Sequence, residues 1–195
     1  MFVIVRHGNT FEAGEPPRRI GARTDLPLTV AGLAQGHALG THLAAQGWNF
    51  TQVLVSPLAR TRQTAAAILS HLPQAPQPQS CDWLREIDHG PDEDQSEDAV
   101  LARIGAEALS AWDESAVPPP GWTVDAKERI AGWRTLFEAP EGPVLLVTSN
   151  GAARFALIAA GLTTASDMKL PTGAYGVIDR NAGGAPMLTE WGRRP

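Results

Sequence analysis

Phe2-Val3-Ile4-Val5-Arg6-His7-Gly8-Asn9-Thr10 decides how the rest of the chain is read. Four apolar residues in a row, mostly β-branched, specify a strand covered on both faces, as in a parallel sheet. The polar block that follows then falls at the strand's carboxyl end, where open α/β sheets place their ligands. A histidine there can act as a nucleophile, and an adjacent arginine can clamp a tetrahedral anion. On its own, Arg6-His7-Gly8 is more often a piece of surface loop. The remaining segments reverse that reading.

The second informative stretch is Val53-Leu54-Val55-Ser56-Pro57-Leu58-Ala59-Arg60-Thr61-Arg62-Gln63-Thr64-Ala65. A β-branched run ends in Ser-Pro, and an alanine-rich helical pattern follows. Pro57 suits a first helical turn, where its missing N–H costs nothing, which makes Ser56 the expected N-cap. Arg60 then lies one turn into a helix that opens at the same sheet edge as His7. Helix amino termini favour anions through their free N–H groups and dipole. Two arginines and a histidine at one strand edge therefore predict a phosphate pocket, with Arg62 or Arg60 alternatively on an exposed helix face.

Elsewhere the pattern alternates between strand and helix. Thr29 is the expected N-cap of a helix running to about Gln46 and stopped by Gly47. The helix from Pro57 is expected to end near Pro73. Asp92 to Asp98 reads as a solvated acidic turn leading into a helix that ends near Trp112, acid there suiting the helix dipole. Pro118-Pro119-Pro120-Gly121 separates this helix from another over Ala126 to Phe137. Val144 to Thr148 reads as a strand, Ala152 to Leu162 as a helix, and Tyr175 to Ile178 and Met187 to Thr189 as late strands. The expected fold is an α/β three-layer sandwich, with a mostly parallel central sheet and helices on both faces. It is expected as a single domain over 1–195, with an insertion at roughly 84–121 covering the site. The scattered tryptophans read as core packing.

The chain has 195 residues, enough for one sizeable core without disulfides or metal. A net charge of -5 argues against nucleic-acid binding. Cys81 is the only cysteine, which suits a reducing cytosol. The first strand leaves no room for a charged n-region and h-region, so the reading expects no leader, and no apolar run reaches membrane-spanning length. Glu86, Asp88 and His89 are ligand-type residues, but their spacing matches no zinc pattern. His37, His42 and His71 read as ordinary surface or boundary residues.

Taken together the motifs resemble the histidine phosphatase superfamily, the phosphoglycerate-mutase-like group. The matching residues are Arg6 to Thr10, then Gly21 with Thr24 to Thr29 and Gly32, then Ser56 to Ala65, then Leu84 to Asp88 with Gly90. They occur in the family's order and span about Phe2 to Gly176. The resemblance implies that His7 is phosphorylated during turnover, that Arg6 and Arg60 bind the phosphoryl group, and that Glu86 gives a proton to the leaving group. It implies no metal or organic cofactor.

The family also carries a second histidine, in a Thr/Ser-His-Gly-Gly setting followed by an arginine. Here Val144 to Thr148 leads into Ser149-Asn150-Gly151-Ala152-Ala153-Arg154. Aligning Gly151 and Arg154 puts Ser149 in that histidine's place. Two further departures are Ala13, where the family commonly has asparagine, and Pro91-Asp92-Glu93, where it often has tryptophan-glutamate-glycine. Expected substrate contacts are Asn9, Thr10, Ser149, Asn150 and Gly151, with His89 a candidate to fill the space left by the histidine. Arg18, Arg19 and Arg23 either meet a second anionic group or are solvated loop charges. The expected activity is hydrolysis of a small phosphomonoester in the cytosol, without nucleic-acid or membrane partners. The alternative is an impaired member that binds phosphorylated ligands or protein partners without turnover.

Overall fold

The computed structural model describes residues 1–139, 142–163 and 168–195. The apolar run at the front forms β1 (Phe2–Arg6), buried along nearly its whole length. It pairs in parallel with β4 (Val144–Thr148), which pairs in parallel with β2 (Gln52–Val55). A two-residue β3 (Gln79–Ser80) extends that side, and an antiparallel hairpin of β5 (Tyr175–Arg180) and β6 (Pro186–Arg193) extends the other. The six strands run in the order β3-β2-β4-β1-β5-β6. The expected mostly parallel sheet is present, with its antiparallel part at one end.

Strand alternation splits the core into two layers. Phe2, Ile4, Val144 and Leu146 face one layer, packed by α4 (Ala126–Glu138) and α5 (Asn150–Ala160) through Trp133, Phe137, Ala153 and Phe155. Val3, Val5, Leu145 and Val147 face the other, packed by α1 (Val30–Ala45) and α2 (Ala59–Leu69) through Leu39, Leu43, Ala65 and Ile68. Thr29 caps α1, its hydroxyl accepting from the Gly32 N–H at 3.0 Å, as its position before the helix predicts. The third layer also receives α3 (Glu97–Ser115), capped by Ser96 and kinked at Gly105, where φ is +81°.

Three local expectations are corrected. Helix α2 starts at Ala59, and Ser56 does not cap it; the Ala59 N–H donates instead to Asp25 Oδ1 at 2.7 Å, from a loop far away in sequence. The acidic run is not wholly solvated. Asp92 is buried, accepting from the Trp122 indole N–H at 2.7 Å and paired with Arg103, and Glu93 is buried beside it. Helix α5 also begins at Asn150, two residues earlier than expected. Among the described residues no helix is long and apolar enough to cross a membrane.

Candidate active site

His7 leaves the end of β1 and is buried. Its Nδ1 lies 2.8 Å from the Gly8 carbonyl oxygen, so that nitrogen carries the proton. Nε2 keeps its lone pair and accepts from Arg60 Nε at 3.2 Å. Burial, then the Arg60 and Arg6 charges, hold the imidazole well below its ordinary pKa against the pull of Gly8, so the ring is neutral near pH 7. The turn after His7 closes tightly on α1. A Cβ added at Gly8 would come 2.3 Å from the Gly32 carbonyl oxygen, which requires glycine at the crossing. The Gly8 N–H donates to Thr64 Oγ1 on α2 at 3.1 Å.

Arg60 is fully buried at the second position of α2. Its other nitrogens donate to the Thr24 carbonyl at 2.9 Å and the Gly21 carbonyl at 3.1 Å. The loop bearing those carbonyls is fixed by Glu93, whose Oε1 accepts from the N–H groups of Gly21, Arg23 and Thr24, each at 2.9 Å. Burial alone would raise the Glu93 carboxyl; the His89 ring and main chain, Thr24 and Arg23 outweigh it and hold the group at about 2. Glu93 thus positions Arg60 through two carbonyls, a role that its acidic neighbourhood in sequence hides.

Glu86 faces the cleft from the other layer. Its carboxylate accepts from the Ile87 N–H at 3.0 Å and the Gly151 N–H, at the start of α5, at 3.1 Å. A Cβ at Gly151 would come 2.2 Å from Glu86 Oε1, so this glycine makes room for the acid. Burial pushes the Glu86 carboxyl up, but His89, the Ile87 N–H, Arg60 and the Gly151 N–H prevail and hold it below its ordinary value. Asp88 does not join it; its carboxylate accepts from Arg23 Nε at 2.9 Å and the Gly90 N–H at 2.7 Å. His89 is held edge-on to Trp122, 4.6 Å between centroids, with Nδ1 3.5 Å from Glu93.

The third wall hangs on the main chain of one residue. Leu170, fully buried before β5, accepts from Arg6 Nη1 at 2.8 Å and donates its N–H to Asn150 Oδ1 at 2.8 Å. The Asn150 amide nitrogen is thereby left as the available donor. Burial lowers the Arg6 guanidinium to about 10, opposed by Glu86, so it remains charged at neutral pH.

Arg6, His7, Asn9, Thr10, Glu86, His89, Asn150 and Gly151 all line one cleft of about 550 Å³. Arg60 reaches it through His7. His89, Glu97, Leu109, Trp112 and Asp113 also line the cleft. The expectation for Ser149 is corrected. It does not line the cleft: its hydroxyl is buried and makes no hydrogen bond with the described residues. Asn150, the next residue, does line it. Arg154, which anchored the sequence alignment, stacks 4.2 Å from the Trp112 ring in the core. Sequence reading missed Leu170, because it acts through main chain, and Glu93, because it acts on a loop. Among the described residues no three His, Cys, Asp or Glu side chains are grouped to hold a metal ion.

The sequence matches the histidine phosphatase superfamily (branch 1) over residues 2–192. It is similar to 2,3-bisphosphoglycerate-dependent phosphoglycerate mutase 1 of Latilactobacillus sakei, 29% identical over 120 residues, 60% of this chain and 50% of that one. The chain thus aligns with about half the length of that relative. The fold is similar to mycobacterial glucosyl-3-phosphoglycerate phosphatase, with TM-score 0.79 and 19% identity over 98% of this chain and 97% of the other. It is also similar to the alpha-ribazole phosphatase of Shigella flexneri, with TM-score 0.74 and 24% identity over 99% and 96%.

Proposed function

The chain belongs to branch 1 of the histidine phosphatase superfamily, and on that premise we propose that it hydrolyses a phosphomonoester through a phosphohistidine formed on His7. The observation that carries the reading is a neutral, buried imidazole that lines one cleft with Arg6 and Glu86 and whose unprotonated Nε2 is held by the Arg60 guanidinium. Nδ1–H is committed to Gly8, so the nucleophilic nitrogen is the one beside Arg60.

In the first step the Arg60 Nε–H turns from His7 Nε2 to a phosphoryl oxygen, Nε2 attacks phosphorus in line, the bond from phosphorus to the ester oxygen breaks, and Glu86 delivers a proton to the departing alkoxide. Arg6, Arg60 and the Asn150 amide stabilise the equatorial oxygens, which is where such transfers need charge. In the second step Glu86 takes a proton from water, the water oxygen attacks phosphorus, and the P–N bond breaks to release phosphate. Glu86 is ionised in the ligand-free site. A phosphate dianion arriving beside it raises its pKa by like-charge repulsion, so its proton is acquired with the substrate.

Asn150, in this reading, fills the place of the family's second histidine. An amide donates one hydrogen bond to a phosphoryl oxygen without a charge, which favours modest turnover. The test is inorganic phosphate release from a panel of phosphomonoesters, with rapid quench of the protein. Wild type should carry acid-labile, base-stable phosphate, and His7→Ala should lose both the label and turnover while remaining folded. Retained turnover in His7→Ala would refute the covalent route. Anion binding without release from any ester would favour the alternative of a non-catalytic phosphoester-binding protein.

A further inference from the structure

The cleft continues well beyond the phosphate end, and its charges there are already matched. Arg18 pairs with Asp94 at 2.8 Å, Lys169 pairs with Asp113 at 2.7 Å, and Arg19 pairs with Glu97. Arg18 also lies 5.7 Å from the Phe11 ring centroid and Arg19 lies 5.1 Å from that of Trp122, so both guanidinium groups are held against aromatic faces. Glu15 adds a further carboxylate to the lining. Arg154 stands 3.8 Å from Asp113 as well, so among the described residues four cations here face the four carboxylates Glu15, Asp94, Glu97 and Asp113. Each cation already faces a carboxylate, and an incoming acid would meet Glu15, Glu97 or Asp113.

The wall between these pairs is apolar, formed by the half-buried side chains of Phe11, Ile20 and Leu109. A volume of about 550 Å³ lies within the range that holds drug-sized ligands. A three-carbon acid would leave most of it empty.

Resting on the phosphatase reading, we propose that the substrate is a monoester bearing a single phosphate on an uncharged alcohol with an apolar or aromatic body. Selection against phosphorylated acids and bisphosphates comes from the carboxylates that neutralise Arg18, Arg19 and Lys169. Arg18 and Arg19, read from sequence as meeting a second anion or as solvated loop charges, instead pair with carboxylates of this chain.

Benzyl phosphate and 3-phosphoglycerate are both primary alkyl phosphates and differ mainly in the body attached. Dissociation constants measured by calorimetry on the His7→Ala protein should favour benzyl phosphate by about tenfold, since like-charge juxtaposition is costly. Thermal shifts of the wild type with each ester should rank the same way, should the variant prove unstable. Glu97→Gln releases Arg19 and should shrink that preference several-fold. Equal or tighter binding of 3-phosphoglycerate, or a preference unchanged in Glu97→Gln, overturns the proposal. Because binding is read without turnover, a wild type that hydrolyses neither ester defeats the phosphatase reading alone. In kcat/KM on the wild type, a preference for 3-phosphoglycerate defeats the substrate class alone.

Discussion

Asn150 and Ser149 are adjacent and face different surroundings, and the difference is worth one residue of register. Counting back from Arg154 selects Ser149 for the anion; counting forward from the strand through Ser-Asn-Gly selects Asn150. Asn150 lines the cleft and Ser149 does not, which supports the second count; Arg154 stacks on Trp112 and lies 3.8 Å from Asp113. Asn150→Ala should lower kcat/KM for a phosphomonoester by about 10–100-fold, the scale of losing one oriented donor to a developing oxyanion. Ser149→Ala should leave it unchanged and cost no stability, since the buried hydroxyl makes no bond with the described residues. A variant series read by steady-state kinetics and urea unfolding separates the two, and a larger kinetic loss in Ser149→Ala would restore the sequence alignment. The gathering of Arg6, His7 and Glu86 at one cleft, with Arg60 against His7, was legible because each is a chemistry-bearing side chain within a short motif. Leu170 was not, since nothing in its side chain announces a main chain that holds Arg6 and Asn150.

At the scale of elements, the strands and helices were read from β-branched runs and caps, and the misses lie where a distant group replaced a local one. Ser56-Pro57 has the local form of a helix start, yet Asp25 crosses from another loop to accept the Ala59 N–H. Asp25→Ala should destabilise the protein by about 1 kcal/mol, as for loss of an N-cap. Arg60 is the next residue of that helix, so the variant should also raise KM for the phosphoester, an effect that unfolding alone does not produce below its transition. Unfolding curves and Michaelis plots at the same temperature check both; an unaltered midpoint would mean that water replaces the carboxylate at no cost. The acidic run misled for the same reason. Asp92 and Glu93 found partners in Arg103, Trp122 and the loop around Gly21, none of them near in sequence.

Across the whole molecule, Glu93 is the brace between the two layers, fastening the loop that holds Arg60 to the segment that carries His89. Its folded pKa of about 2 lies below the unfolded 4.5. Its stabilisation is therefore complete above about pH 4.5 and fades as the pH falls toward 2. Urea midpoints measured down that range should decline, and Glu93→Gln should be less stable at neutral pH and decline less steeply. Parallel declines would remove Glu93 from the account. The three-layer architecture was legible because alternate residues of β1 and β4 are all apolar, while the brace was not, because it joins loops. The two cores lie on opposite faces of the sheet, and the site draws on both. His7 is clamped from the α1/α2 layer by Arg60 and Thr64, whereas Glu86 is anchored in the other by Leu84, Ile87 and Gly151. His7 and Glu86 thus ride on separate slabs, and their spacing registers any slippage between them. On heating, turnover should fade several degrees before helical circular dichroism does, which makes activity the more sensitive thermometer of the sheet's grip on its two sides.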